Sequence, residues 1–118
     1  MNPKIEIEVE RTDGIPVVKV AGEVDLYSSP ELRRAVLAEA EKRPAKLVVD
    51  LSKVLYMDSS GVATLVEGLQ KLEQNGGMLV LCGLGEMVQE VFKLTRLDSV
   101  FRILPSVEEA LSGEVTRA

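Results

Sequence analysis

The chain has 118 residues, of which 46% are apolar and 28% charged, and a formal net charge of −5. That is the make-up of a single globular domain spanning 1–118, long enough to bury about 65% of its unfolded surface. With no His and a single Cys, Cys82, it excludes a His-based triad, a His-ligated metal centre, an intrachain disulfide and a CxxC motif. Its acidic balance and four aromatic residues argue against a nucleic-acid or anionic-membrane surface.

Ile5, Ile7 and Val9 alternate with Glu6, Glu8 and Glu10. This period of two predicts a strand with one wet face, and its glutamates suit a sheet edge. Asp13-Gly14 predicts a turn, and residues 17–21 a second strand returning as a hairpin. A loop over residues 22–28 then leads into a helix. Ser28 and Glu31 have capping-box spacing, and Pro30 suits the first turn. Leu32, Ala35, Val36 and Ala40 repeat at helical spacing until Pro44 stops them.

Residues 47–51 form a short, mostly apolar strand of the kind buried on both faces in a parallel sheet. A brief apolar stretch, 54–57, leads directly into Asp58-Ser59-Ser60-Gly61. Val62, Leu65, Val66, Leu69 and Leu72 then make a helical stripe ending at Asn75-Gly76-Gly77. A strand over 78–82, a helix over 86–94 and a strand over 101–104 follow. Ser106 and Glu109 cap a terminal helix, with the last residues from Ser112 frayed. The order ββαβαβαβα requires right-handed crossovers. It predicts an α/β fold with a mixed, mostly parallel sheet, an antiparallel edge hairpin strand and about four helices.

Asp58-Ser59-Ser60-Gly61 has two readings. Any one of the three polar residues can cap the helix, and a cap stabilises by about 1 kcal/mol. Three of them together point to a group presented at the helix start. Gly61, Thr64 and Gly68 lie on one flank of this helix. A mid-helix Gly costs about 1 kcal/mol relative to Ala, so close approach is expected, either by a strand of this domain or by a partner.

Gly83-Leu84-Gly85 follows a strand and opens a helix, but Val88 stands where a dinucleotide loop needs its third glycine. A strand-to-helix turn accounts for it. Asp25, Asp50 and Asp58 could gather at strand ends as bases or Mg²⁺ ligands, or could shape loops and cap helices. No nucleophile has a base beside it, so an enzyme is not expected. No cofactor is expected either. The N-terminus lacks a signal-peptide core, and apolar runs fall far short of the ~20 residues that span a bilayer. The expected location is the cytoplasm.

The chain resembles STAS domains of the anti-sigma factor antagonist family. Residues 22–32 (Gly-Glu-Val-Asp-Leu-Tyr-Ser-Ser-Pro-Glu-Leu), 47–54 and Met57-Asp58-Ser59-Ser60-Gly61 carry the resemblance, with Val91-Phe92-Lys93-Leu94-Thr95-Arg96-Leu97-Asp98 and residues 106–110. Val62 replaces the more usual Leu after the glycine. The resemblance implies partner switching. Such antagonists bind an anti-sigma factor that is a serine kinase of the GHKL type, and so free a sigma factor. The kinase phosphorylates the serine before the glycine, here Ser60, and a PP2C-type phosphatase reverses this. The resemblance puts Asp25, Asp58 and Ser59 in the partner surface, to which the flank Gly61, Thr64 and Gly68 is added. The rival reading is a free-standing STAS subunit of a membrane transport complex, and a weaker third is a nucleotide-binding protein or enzyme.

Overall fold

The computed structural model describes residues 4–113. The elements run in chain order: β1 (Ile5–Thr12), β2 (Ile15–Val24), α1 (Ser29–Ala40), β3 (Lys46–Met57), α2 (Ser59–Gln74), β4 (Met78–Cys82), α3 (Glu86–Leu94), β5 (Arg102–Leu104) and α4 (Val107–Ser112). The alternation predicted from sequence is thus reproduced element for element. Ser112 belongs to α4, and the rest of the expected frayed end, 114–118, lies outside the described residues.

The five strands lie side by side in chain order, β1-β2-β3-β4-β5. β1 pairs antiparallel with β2 through the Asp13-Gly14 turn, and the remaining pairs are parallel. This order fixes where the helices go. Each crossover steps to the next strand in the same direction, so right-handed connections put α1, α2 and α3 on one face. The main core lies there: Val18, Val20 and Val24 from β2, Leu47, Val49 and Leu51 from β3, and Leu79 and Leu81 from β4. Leu32 and Val36 of α1, Leu65 and Leu72 of α2, and Phe92 of α3 close over them. Phe92 meets Phe101 edge to face, with ring centroids 5.4 Å apart. Full burial of each such side chain stabilises by roughly 1.5–3 kcal/mol.

α4 covers the opposite face. A second, smaller cluster there joins Val17, Val48, Val80 and Cys82 to Ala110. β1 is an edge strand, as its glutamates predict, and Glu10 pairs with Lys19 of β2 at 3.1 Å.

Two local expectations are corrected. β3 is one 12-residue strand rather than a short strand and a separate apolar segment. Only Lys46 to Asp50 pair with β4, and its second half pairs with β2 alone. Asp50 therefore sits within a strand and not at its end; its carboxylate accepts from the Ser52 N–H at 3.0 Å. The Ser28–Glu31 capping box does not form. Ser28 has helical backbone angles, and its hydroxyl donates to the Glu23 carbonyl at 2.7 Å instead. The Ser106–Glu109 cap does form: the Ser106 hydroxyl oxygen accepts from the Glu109 N–H at 3.2 Å.

Candidate functional site

The site grows from the register of two strands. Val24 pairs with Met57, so the next residues, Asp25 and Asp58, leave the sheet side by side at the carboxyl ends of β2 and β3. The Asp58 N–H donates to the Val24 carbonyl at 3.0 Å and ties the two exits together. Loops at the carboxyl ends of parallel strands are where α/β folds place their functional groups.

Asp25 organises its own loop. Its carboxylate accepts the N–H groups of Tyr27 at 2.9 Å and Ser28 at 3.0 Å, and forms an ion pair with Lys4. The Lys4 pairing, with help from those two N–H groups, lowers the Asp25 pKa from 3.8 to about 2. Lys4 is held there by its backbone, since its carbonyl accepts from the Glu23 N–H at 2.9 Å. That approach requires Gly22, at φ +105°, where a Cβ would stand 2.3 Å from the Lys4 carbonyl oxygen. Ser28 is buried and serves the loop as an internal strut, accepting from the Asp25 N–H at 2.9 Å.

Asp58 is the N-cap of α2. Its Oδ1 accepts from the Ser60 N–H at 2.9 Å and from the Ser60 hydroxyl at 2.5 Å. The capping reading of Asp58 is therefore realised, by Asp58 alone. Ser59 is exposed at the first helical position and Ser60 half-buried at the second. Ser60 is consequently not a fully presented side chain, because the carboxylate beside it fixes the hydroxyl.

The flank Gly61, Thr64 and Gly68 is buried. A Cβ on Gly61 would stand 2.7 Å from Met57 and from Val24, and one on Gly68 would stand 2.5 Å from Val36 of α1. The close approach expected of these residues is made by the domain itself, as α2 packs onto the sheet and α1. Their place in a partner surface is corrected for that reason.

The sequence reading singled out no apolar rim, and one is present. Tyr27 is 84% exposed and Leu26 68%, both in the loop after Asp25. Leu55, 74% exposed, and Tyr56, 41% exposed, immediately precede Met57 and Asp58. The signal was a broken alternation. Strict period two cannot bury Leu51, Val54 and Met57 together, and irregular register between β2 and β3 turns Leu55 and Tyr56 outward.

Gly83 and Gly85 form a plain strand-to-helix turn. Gly83 has φ +72°, and a Cβ there would collide with Ser52. Among the described residues, no group of three or more potential metal ligands comes together. By their hydrogen bonds Asp25 organises its loop, Asp58 caps α2, and Asp50 accepts from the Ser52 N–H.

A fixed hydroxyl starts α2, and the chain segments leading into and out of the two strand ends carry exposed aromatic and aliphatic side chains. Similar proteins share the fold along most of its length. An anti-sigma-B factor antagonist of Listeria monocytogenes is 36% identical over 113 residues, covering 96% of this chain and 97% of that one. Another, of Staphylococcus epidermidis, is 32% identical over 104 residues, covering 88% and 96%. A crystal structure of an anti-sigma factor antagonist from Mycobacterium paratuberculosis superposes with a TM-score of 0.85 at 34% identity, covering 92% of each chain. The STAS domain model matches residues 6–110. Matched by that model from β1 to α4, the chain belongs to the STAS domain family.

Proposed function

We propose that this protein is an anti-sigma factor antagonist controlled by phosphorylation of Ser60. In its unmodified state it binds an anti-sigma factor serine kinase of the GHKL type and so releases a sigma factor. The kinase closes the cycle by modifying Ser60, and a PP2C-type phosphatase reopens it. The chain acts as a binding module in the cytoplasm, without a catalytic group or cofactor of its own.

The observation that carries this reading is the setting of the Ser60 hydroxyl. It sits at the second position of α2, oriented by Asp58, at the end of the sheet where the segments next to Asp25 and Asp58 carry the exposed Leu26, Tyr27, Leu55 and Tyr56. Exposed tyrosines, here Tyr27 and Tyr56, are among the side chains enriched as anchors of protein interfaces. A phosphate at this serine adds about 1.5–2 negative charges at that end of the sheet. Asp25, Asp58 and Ser59 take part by shaping and edging the same surface.

The test is to mix the protein with a candidate kinase of this type and ATP, and to map the modified residue. Incorporation at Ser60, abolished in Ser60→Ala, supports the reading. Incorporation at Ser59, or undiminished incorporation in Ser60→Ala, overturns the assignment.

A further inference from the structure

α4 differs from the other helices in what holds it. It has six residues, too few to persist as a helix by itself. It packs on the sheet face that α1, α2 and α3 leave free, over a cluster separate from the main core. Val107, Ala110 and Leu111 supply its apolar contacts to Val17, Val48, Val80 and Cys82.

Its last turn is fastened by a buried cation. Lys46, the first residue of β3, is 3% exposed. Its ammonium donates to the Ala110 carbonyl at 2.5 Å and the Gly113 carbonyl at 3.1 Å. These carbonyls lie at the helix C-terminus, so a cation there also meets the negative end of the helix dipole. Among the described residues no carboxylate pairs with Lys46. Burial lowers its pKa, and the nearby charge of Arg102 adds to that.

We propose that α4 is a gate latched by Lys46, which opens while the rest of the domain stays folded and uncovers the apolar strip Val17-Val48-Val80 with Cys82. The gate lies on the opposite face of the sheet from α2, whose first turn carries Ser60. It therefore adds a second, concealed apolar surface to the molecule. Elements with few contacts and their own small cluster open at lower free energy than the whole domain.

Cys82 reports on the gate. It is fully buried under α4, and burial, with the charges of Asp50 and Glu108, pushes its thiol pKa up to about 12. While α4 is docked, the thiol is neither reachable nor ionised.

The experiment is labelling of Cys82 by Ellman's reagent in the full chain, at urea concentrations below the unfolding transition. The expected rate is nearly independent of urea at the lowest concentrations, because opening α4 exposes little surface. Lys46→Met keeps the apolar stem but leaves both carbonyls without their donor. Its expected labelling rate is at least tenfold higher, with the urea midpoint of the sheet little changed. The wild-type urea slope decides the gate itself even where the variant does not fold. A slope equal to that of global unfolding from zero urea upward shows that α4 leaves only with the whole domain, and overturns the gate. Labelling of Lys46→Met at the wild-type rate overturns Lys46 as its latch.

Discussion

The Asp58 carboxylate holds Ser60 twice, through its N–H at 2.9 Å and through its hydroxyl at 2.5 Å. One residue is therefore both the cap of α2 and the orienting group for the serine hydroxyl. Asp58→Ala is expected to cost about 1 kcal/mol of stability, the size of one cap. Asp58→Asn keeps an acceptor for the amide and is expected to cost less. Urea denaturation of the three proteins checks this, and equal stability of all three would show that the cap carries no weight.

Gly68 is expected to resist even the smallest side chain. Ala is the better helix former by about 1 kcal/mol, so an open site would gain from the change. Here the new Cβ stands 2.5 Å from Val36 Cγ1 in a fully buried contact. Overpacking of this kind costs about 1–3 kcal/mol. Gly68→Ala is expected to destabilise the domain, and the double variant with Val36→Ala to be more stable than the two single losses add up to. Additive losses would place the strain elsewhere.

The Lys4–Asp25 pair gives a pH signature. Asp25 has its pKa lowered from 3.8 to about 2, so its ionised form is favoured by folding. That contribution is fully present above the unfolded value of 3.8 and is lost as pH falls through about 2. In Lys4→Met the Asp25 carboxyl is expected to titrate closer to 3.8, moving the loss to higher pH. Carboxyl chemical shifts followed between pH 5 and pH 1.5 measure both. Identical Asp25 titrations in the two proteins would remove Lys4 from the account.

The apolar rim is expected to matter for binding and not for folding. Tyr27→Ala and Leu55→Ala remove side chains that stand mostly in water, so thermal stability is expected to move little. Interface anchors lose more than about 1 kcal/mol on truncation, which is a fivefold or larger rise in Kd for the kinase. Unchanged affinity in both variants would place the docking surface away from this rim.

Most of the fold was legible in the sequence because its cues are local. The Glu-Ile alternation of β1, the Gly14, Gly76 and Gly83 turns and the apolar stripes of α1 and α2 each announce one element. What escaped depends on geometry between elements. Ser28 has the spacing of a cap, yet its hydroxyl is taken by Glu23, a partner that exists only once β2 has turned into its loop. Gly68 announced a close approach, but sequence cannot say that the approaching group is Val36. The outward turn of Leu55 and Tyr56 follows from a register irregularity against β2, which no alternation within β3 reveals.

Modification of Ser60 is expected to work at the interface and not through the fold. A phosphate on Ser60 removes the hydroxyl donor from Asp58 and sets two anionic groups side by side. The positive end of α2 offsets part of that repulsion, so the domain is expected to keep its structure. Docking is expected to suffer instead, because a closely packed interface must strip water from the phosphate. The deciding measurement is calorimetric affinity of the unmodified and Ser60-phosphorylated protein for the kinase, with a thermal melt of each. Melting points within a few degrees of each other are expected, with an affinity at least a hundredfold weaker after phosphorylation. A large fall in melting point that accounts for the lost binding, or an affinity that does not change, would contradict this expectation.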